Sequence, residues 1–167
     1  MGSVRHEKIH RGNEPPPALR HWISSEILRD NLAEFLSGLS LHTTEGLPGK
    51  KEKGSPDEWD PFLDGVLRGT LSYCGPLPEN LSPFDRKVLE ETRKISFGET
   101  MTYGELAKRI GKPRAARAVG GSLGRNPLPL LIPCHRVVGR GGVLTGYSQG
   151  IAIKEALLAW ERRAIAP

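Results

Sequence analysis

Thr102-Tyr103-Gly104-Glu105-Leu106-Ala107-Lys108-Arg109-Ile110-Gly111 and, after Lys112-Pro113, Arg114-Ala115-Ala116-Arg117-Ala118-Val119-Gly120-Gly121-Ser122-Leu123 decide how the chain is read. Thr102 and Glu105 have capping-box spacing, which opens a short helix that Gly111 closes. A second helix is predicted over about 114–123, before Asn126-Pro127. Two short helices joined by a tight Gly-Lys-Pro turn are a helix-turn-helix candidate. Upstream, Gly75-Pro76-Leu77-Pro78 breaks the chain, and Ser82-Pro83 supplies an N-cap with proline at the first helical position. The spacing predicts a helix over about 83–95 that turns Phe84, Val88, Leu89 and Ile95 inward. Downstream, Leu128 to Ile132 reads as a short apolar strand ended by Pro133, and Val137 to Tyr147 as a Gly-rich hairpin. A last helix over about 151–163 buries Ile153, Leu157 and Trp160.

The first half is less regular. The first eighteen residues, mostly polar and with Pro15-Pro16-Pro17 near their end, form a loose lead-in. From Leu19 to Leu47 two readings stand: Leu28, Leu32, Phe35, Leu36 and Leu39 are helically spaced, while Asp30-Asn31 is a turn signal between strand-length segments. Residues 46–57 form a Gly, Pro and Lys-rich loop. Trp59 to Tyr73 reads as a helix with Trp59, Phe62, Leu63, Val66 and Leu67 on one stripe.

At 167 residues, with 37% apolar and 26% charged, the chain has the composition of a soluble globular protein. No apolar run approaches the ~20 residues of a membrane span, and the N-terminus opens no apolar signal segment, so export is not expected. Two cysteines, Cys74 and Cys134, make no disulfide framework and fit free thiols in a reducing cytoplasm. Charge is uneven: residues 82–167 carry 15 Lys and Arg against 7 Asp and Glu, a net +8, and residues 1–81 carry 9 against 12, a net −3. Charge alone does not separate a polyanion-binding face from an ordinary solvated one.

Pro133-Cys134-His135-Arg136 is where chemistry concentrates. A free thiol has a pKa of about 8.5, so a nucleophilic cysteine needs a base, a cation or a helix terminus nearby. His135 and Arg136 are adjacent, yet neighbours on a strand face opposite ways, and a buried structural Cys beside an incidental His is the commoner arrangement.

The surrounding segments change that balance. Ser96-Phe97-Gly98-Glu99, Thr102 to Ala107, Arg114 to Gly121, Arg125-Asn126-Pro127, Ile132 to Val137, Gly146-Tyr147-Ser148 and Lys154 to Glu161 together closely resemble the methylated-DNA–protein-cysteine methyltransferases, the alkylguanine-DNA alkyltransferases. The likeness runs from about Ser82 to Glu161 in unbroken order, while residues 1–81 match loosely. It implies an α/β fold (α+β in its layering): a small sheet-containing N-terminal domain over 1–81, then a mainly helical catalytic domain over 82–167 with a helix-turn-helix.

The resemblance also implies roles. Cys134 would accept the alkyl group from O6-alkylguanine, and from O4-alkylthymine, once per molecule. His135 would take the thiol proton through a water, with Glu161 orienting the imidazole in general triad fashion. Tyr103 would donate to the departing guanine, Asn126 would brace the turn before Cys134, and Tyr147 and Ser148 would line the pocket. Arg117 would fill the gap left by a flipped base, and Thr102, Arg114, Ala118, Gly121, Arg125 and Arg136 would meet DNA, with the second helix in the minor groove. The implied partner is double-stranded DNA, engaged by a cytoplasmic monomer without a cofactor. Read by itself, Glu161 would be a solvated carboxylate near a helix C-terminus, where it opposes the dipole. Some members of the family hold zinc in the N-terminal domain, but Cys74 with His6, His10, His21 and His42 has no two-Cys, two-His ligand spacing, so no metal is expected. Three other readings are a lesion-binding relative without chemistry, which the presence of Cys134 opposes, a helix-turn-helix regulator, and a multiple-turnover cysteine hydrolase.

Overall fold

The computed structural model describes residues 19, 21, 65–67, 69 and 75–165. Ser82 begins α1 (Pro83–Thr92): its hydroxyl accepts the Asp85 backbone N–H at 3.0 Å, and Pro83 sits where no N–H is needed. The helix buries Val88, Leu89 and Thr92. It stops short of the predicted Ile95, but two successive turns, Lys94 N–H to Glu91 O and Ile95 N–H to Thr92 O, still deliver Ile95 to the core.

The capping box is present in full at α2 (Tyr103–Arg109). Thr102 Oγ1 accepts from Glu105 N, while the Glu105 carboxylate accepts from Thr102 N at 2.8 Å. The far end closes as a Schellman pair, Lys112 N–H to Ala107 O and Gly111 N–H to Lys108 O, with Gly111 at φ +75. A turn over 112–115 delays the next helix, so α3 (Ala116–Gly124) begins two residues later than predicted. It turns Val119, Ser122 and Leu123 inward and packs on both α1 and α2.

Two expectations fail between α3 and the last helix. Leu128 to Ile132 is not a strand but a tight turn, with Ile132 N–H donating to Leu128 O at 2.9 Å and Leu130 at φ +73. Leu128, Leu130, Leu131 and Ile132 are all buried, whereas a strand would alternate. Val137 to Tyr147 is not a hairpin either. Val137–Val138 (β2) pairs in parallel with Met101–Thr102 (β1), in register Met101 to Val137 and Thr102 to Val138. Beyond it the chain turns through a short 3₁₀ segment, Arg140–Gly142, closed by Gly139 N–H to Val143 O.

The last helix, α4 (Ile151–Ala164), buries Leu157, Leu158 and Trp160. The Trp160 indole donates to the Leu67 carbonyl at 2.9 Å, tying in a helical stretch at 65–67 whose Val66 and Leu67 join the same core as Leu19. Gly69 N–H closes a turn on Val66 O, and the rest of the predicted Trp59–Tyr73 helix lies outside the described residues. The mixed helical architecture with a small sheet stands, and its sheet among the described residues is the parallel β1–β2 pair. Apart from Leu19 and His21, both helical, the two readings of 19–47 lie outside the described residues, as do the 46–57 loop and Cys74. No helix of the described residues is long and apolar enough to cross a membrane.

Gly111 offers a direct check on the α2–α3 turn. A Cβ there would meet nothing within 4 Å, so Gly111→Ala introduces only left-handed backbone strain. Urea unfolding should show a loss of about 1–2 kcal/mol for Ala, and less for Asn, which tolerates this conformation. An unchanged or raised midpoint for Gly111→Ala would show that the turn is not held this way.

Candidate active site

Cys134 opens a 3₁₀ turn, Cys134–Arg136, and the residue before it sets its direction. Pro133 lies at φ −77, ψ 62, and Cys134 N–H donates to Ile132 O at 2.7 Å. That is an inverse γ-turn centred on proline. A turn replaces the strand on which neighbouring side chains would have faced opposite ways. Asn126 laces the loop from outside: its Nδ2 donates to Ile132 O at 3.0 Å and to Cys134 Sγ at 3.1 Å, and its Oδ1 accepts from Leu128 N at 3.0 Å.

His135 is fully buried, and its Nε2 lies 2.8 Å from Glu161 Oε1. Arg136, grouped above with the DNA-facing cations, turns inward instead. Its Nε and Nη2 donate to the Glu161 carboxylate at 3.0 and 2.9 Å, its Nη1 to Ile95 O at 2.8 Å, and Phe97 lies under the guanidinium. The Gly98 amide donates to Glu161 Oε2 at 3.0 Å. Glu161 therefore departs from the solvated helix-end carboxylate that its position alone predicts. It is 3% exposed, with donors from three residues.

Protonation states follow. Burial works to raise the Glu161 pKa, but the hydrogen bonds from His135 and Arg136, with the charge of the Arg136 guanidinium, hold it down to about 2. An ionised carboxylate only accepts, so His135 keeps its proton on Nε2 and leaves the Nδ1 lone pair available. Burial lowers the His135 pKa more than Glu161 raises it, so the imidazole rests neutral. Among the described residues Nδ1 has no hydrogen-bond partner. The Cys134 thiol is pushed up by burial, only partly offset by the Asn126 hydrogen bond, and rests protonated.

A second cluster adjoins the first. Tyr103 Oη donates to Thr145 O at 2.9 Å, and its pKa is raised by burial. Lys154 Nζ donates to Val137 O at 2.6 Å, to Thr145 O at 3.1 Å and to Tyr103 Oη at 3.4 Å. Lys154 is fully buried, and burial lowers its pKa. Sequence reasoning gives it no role, although a signal is there: Lys154, Leu157, Leu158 and Glu161 form one helical stripe, and a lysine on a buried stripe needs partners. The Tyr147 hydroxyl is buried, without a partner among the described residues, and its pKa is raised by burial and by Cys134.

The remaining residues lie outside this buried group. Arg114, Arg117, Ala118, Gly121 and Arg125 stand apart from the face of α3 that carries Val119, Ser122 and Leu123 inward. Arg125 pairs with Asp85 at 2.7 Å. Thr102 is occupied in its cap, and Ser148 is exposed. Among the described residues, no three His, Cys, Asp or Glu gather as a metal site.

Comparison with known proteins agrees with this layout. Residues 83–163 match the family model for the 6-O-methylguanine DNA methyltransferase DNA binding domain. A methylated-DNA–protein-cysteine methyltransferase of Methanosarcina acetivorans is 42% identical over 126 residues, covering 69% of this chain and 81% of that protein. One from Shigella flexneri is 47% identical over 101 residues, 59% of each chain. Among solved structures, Mycobacterium tuberculosis OGT in complex with DNA superposes with a TM-score of 0.57 at 42% identity, over 62% of this chain and 63% of that one. The O6-methylguanine-DNA methyltransferase of Pyrococcus kodakaraensis strain KOD1 gives 0.56 at 33% identity, over 80% of each. By sequence and by fold, the chain belongs to the methylated-DNA–protein-cysteine methyltransferase family.

Proposed function

We propose that this protein repairs alkylated DNA by direct reversal, moving one alkyl group from O6 of guanine, or O4 of thymine, to Cys134. The observation that carries the reading is a buried thiol on the Asn126 amide, next in sequence to a buried imidazole held by the Glu161 carboxylate. His135 Nδ1, through one water, takes the thiol proton. The Sγ lone pair forms the S–C bond as the C–O bond breaks, and that electron pair leaves with the base. Tyr103 supplies a proton to the departing ring, and Lys154, at 3.4 Å, compensates the phenolate. A thioether has no easy route back to a thiol, so each molecule acts once, and the donor is the DNA itself, so no cofactor is required.

Base access follows from cost. An alkylguanine inside a duplex must be flipped out for a few kcal/mol. In our reading α2 and α3 act as a helix-turn-helix, with α3 in the minor groove. Ala118 and Gly121 let the backbone come close, Arg117 fills the vacated stack, and Arg114 and Arg125 approach phosphates. Tyr147 and Ser148 wall the pocket. Residues 82–167 form the catalytic domain behind an N-terminal domain over 1–81, and the protein works as a cytoplasmic monomer.

Titrating a 6-O-methylguanine duplex with protein should show repair rising linearly to one lesion per chain and then stopping. Repair of several lesions per chain would remove the single-turnover reading and favour a hydrolase. Cys134→Ser and Arg117→Ala should fail in different ways. The serine hydroxyl ionises far less readily, so Cys134→Ser should keep DNA affinity and lose transfer. Arg117→Ala should slow transfer from duplex DNA by the equivalent of a few kcal/mol of flipping cost, yet react almost normally with the free base benzylguanine. Equal losses on both substrates would assign Arg117 to the fold or the thiol.

A further inference from the structure

Arg136 belongs to the turn that carries Cys134 and His135, yet its guanidinium spends its donors on protein: two sets on Glu161 and one on the Ile95 carbonyl, with Phe97 beneath it. Its side chain is only 11% exposed. This geometry rules out the DNA contact expected of Arg136 in the conformation seen here and gives the residue different work. Resting on the proposed alkyl transfer, we propose that Arg136 is a positioning residue that shares the Glu161 carboxylate with His135, and so keeps the imidazole available as the base for the Cys134 thiol.

Charge and geometry act together at this carboxylate. An unshared carboxylate 2.8 Å from a buried imidazole would stabilise the imidazolium and occupy the base with a proton before any substrate arrived. The bidentate fork takes up much of that negative charge and fixes the carboxylate plane, and Gly98 N–H holds the other oxygen. A glycine fits this position, because its backbone lies at φ +78 and a Cβ there would stand 2.5 Å from Ile165 Cδ1. The charged groups facing His135 are Glu161 and Lys154 from α4 and Arg136 from its own turn, with Cys134 adjacent in sequence. Arg136 and Lys154 both oppose the imidazolium, while Glu161 favours it. Removing Arg136 takes away one opposing charge and frees the favouring one, so both changes push His135 toward protonation. At neutral pH the base would then be filled, and transfer would need a higher pH.

The test is the rate of methyl transfer at saturating methylated duplex, followed from ~pH 5 to ~pH 9 with the full chain carrying Arg136→Met or Arg136→Lys. The acid limb should move to higher pH in Arg136→Met and less far in Arg136→Lys, which keeps the charge but loses the fork. For each unit moved, the rate below the limb falls about tenfold. Duplex affinity should stay within about twofold of the parent. If Arg136→Met does not fold, the Arg136→Lys profile decides alone. An unmoved acid limb, whatever the loss of rate, would overturn the inference and leave Arg136 a purely structural role. So would a loss of duplex affinity with an unchanged profile, which would return Arg136 to the DNA contacts. If the parent protein is not methylated at Cys134, the underlying reading of function fails first, and that result is visible before any variant is made.

Discussion

Glu161 is the group on which the site depends. Burying a carboxylate is costly unless its partners come with good geometry, and losing one of them leaves an uncompensated charge. Here the partners are the Gly98 amide before β1, and His135 and Arg136 from the 3₁₀ turn, meeting a residue near the end of α4. The carboxylate therefore does two things together. It sets the tautomer of the imidazole, and it pins the turn that carries the thiol to α4. The parallel β1–β2 pair keeps those segments in register, with Met101 opposite Val137.

The second constraint is the path of the chain into Cys134. The turn at 128–132 buries four apolar side chains, Leu128, Leu130, Leu131 and Ile132, and the γ-turn at Pro133 then redirects the backbone. Asn126 joins three points of that path, including the sulfur. The thiol gains a hydrogen-bond donor and a dry setting, and the dry setting pushes its pKa up. The same economy governs Lys154: a buried ammonium is tolerable because Val137 and Thr145 carbonyls receive it, and those acceptors bring it beside Tyr103.

What the sequence discloses follows from the range of each interaction. Thr102 with Glu105, Gly111, and Ser82 with Pro83 act within one helical turn, and all three fall where local rules place them. Cys134 with His135 and Glu161 is legible only through family likeness, because 26 residues separate the last two and no spacing rule links them. Leu128 to Ile132 misleads because a short apolar run suits a strand or a buried turn equally well. The parallel pair leaves no trace because two residues per strand show no periodicity. Arg136 looks like a surface cation in the sequence because its partner lies on another element, and charge in a sequence carries no direction.

The most direct test of this account is the protonation of His135, read from its imidazole nitrogen chemical shifts in the intact protein at neutral pH. A neutral ring with its proton on Nε2 is the predicted result. An imidazolium, or a neutral ring with its proton on Nδ1, would contradict it, because neither leaves a lone pair on Nδ1 to receive the proton of Cys134.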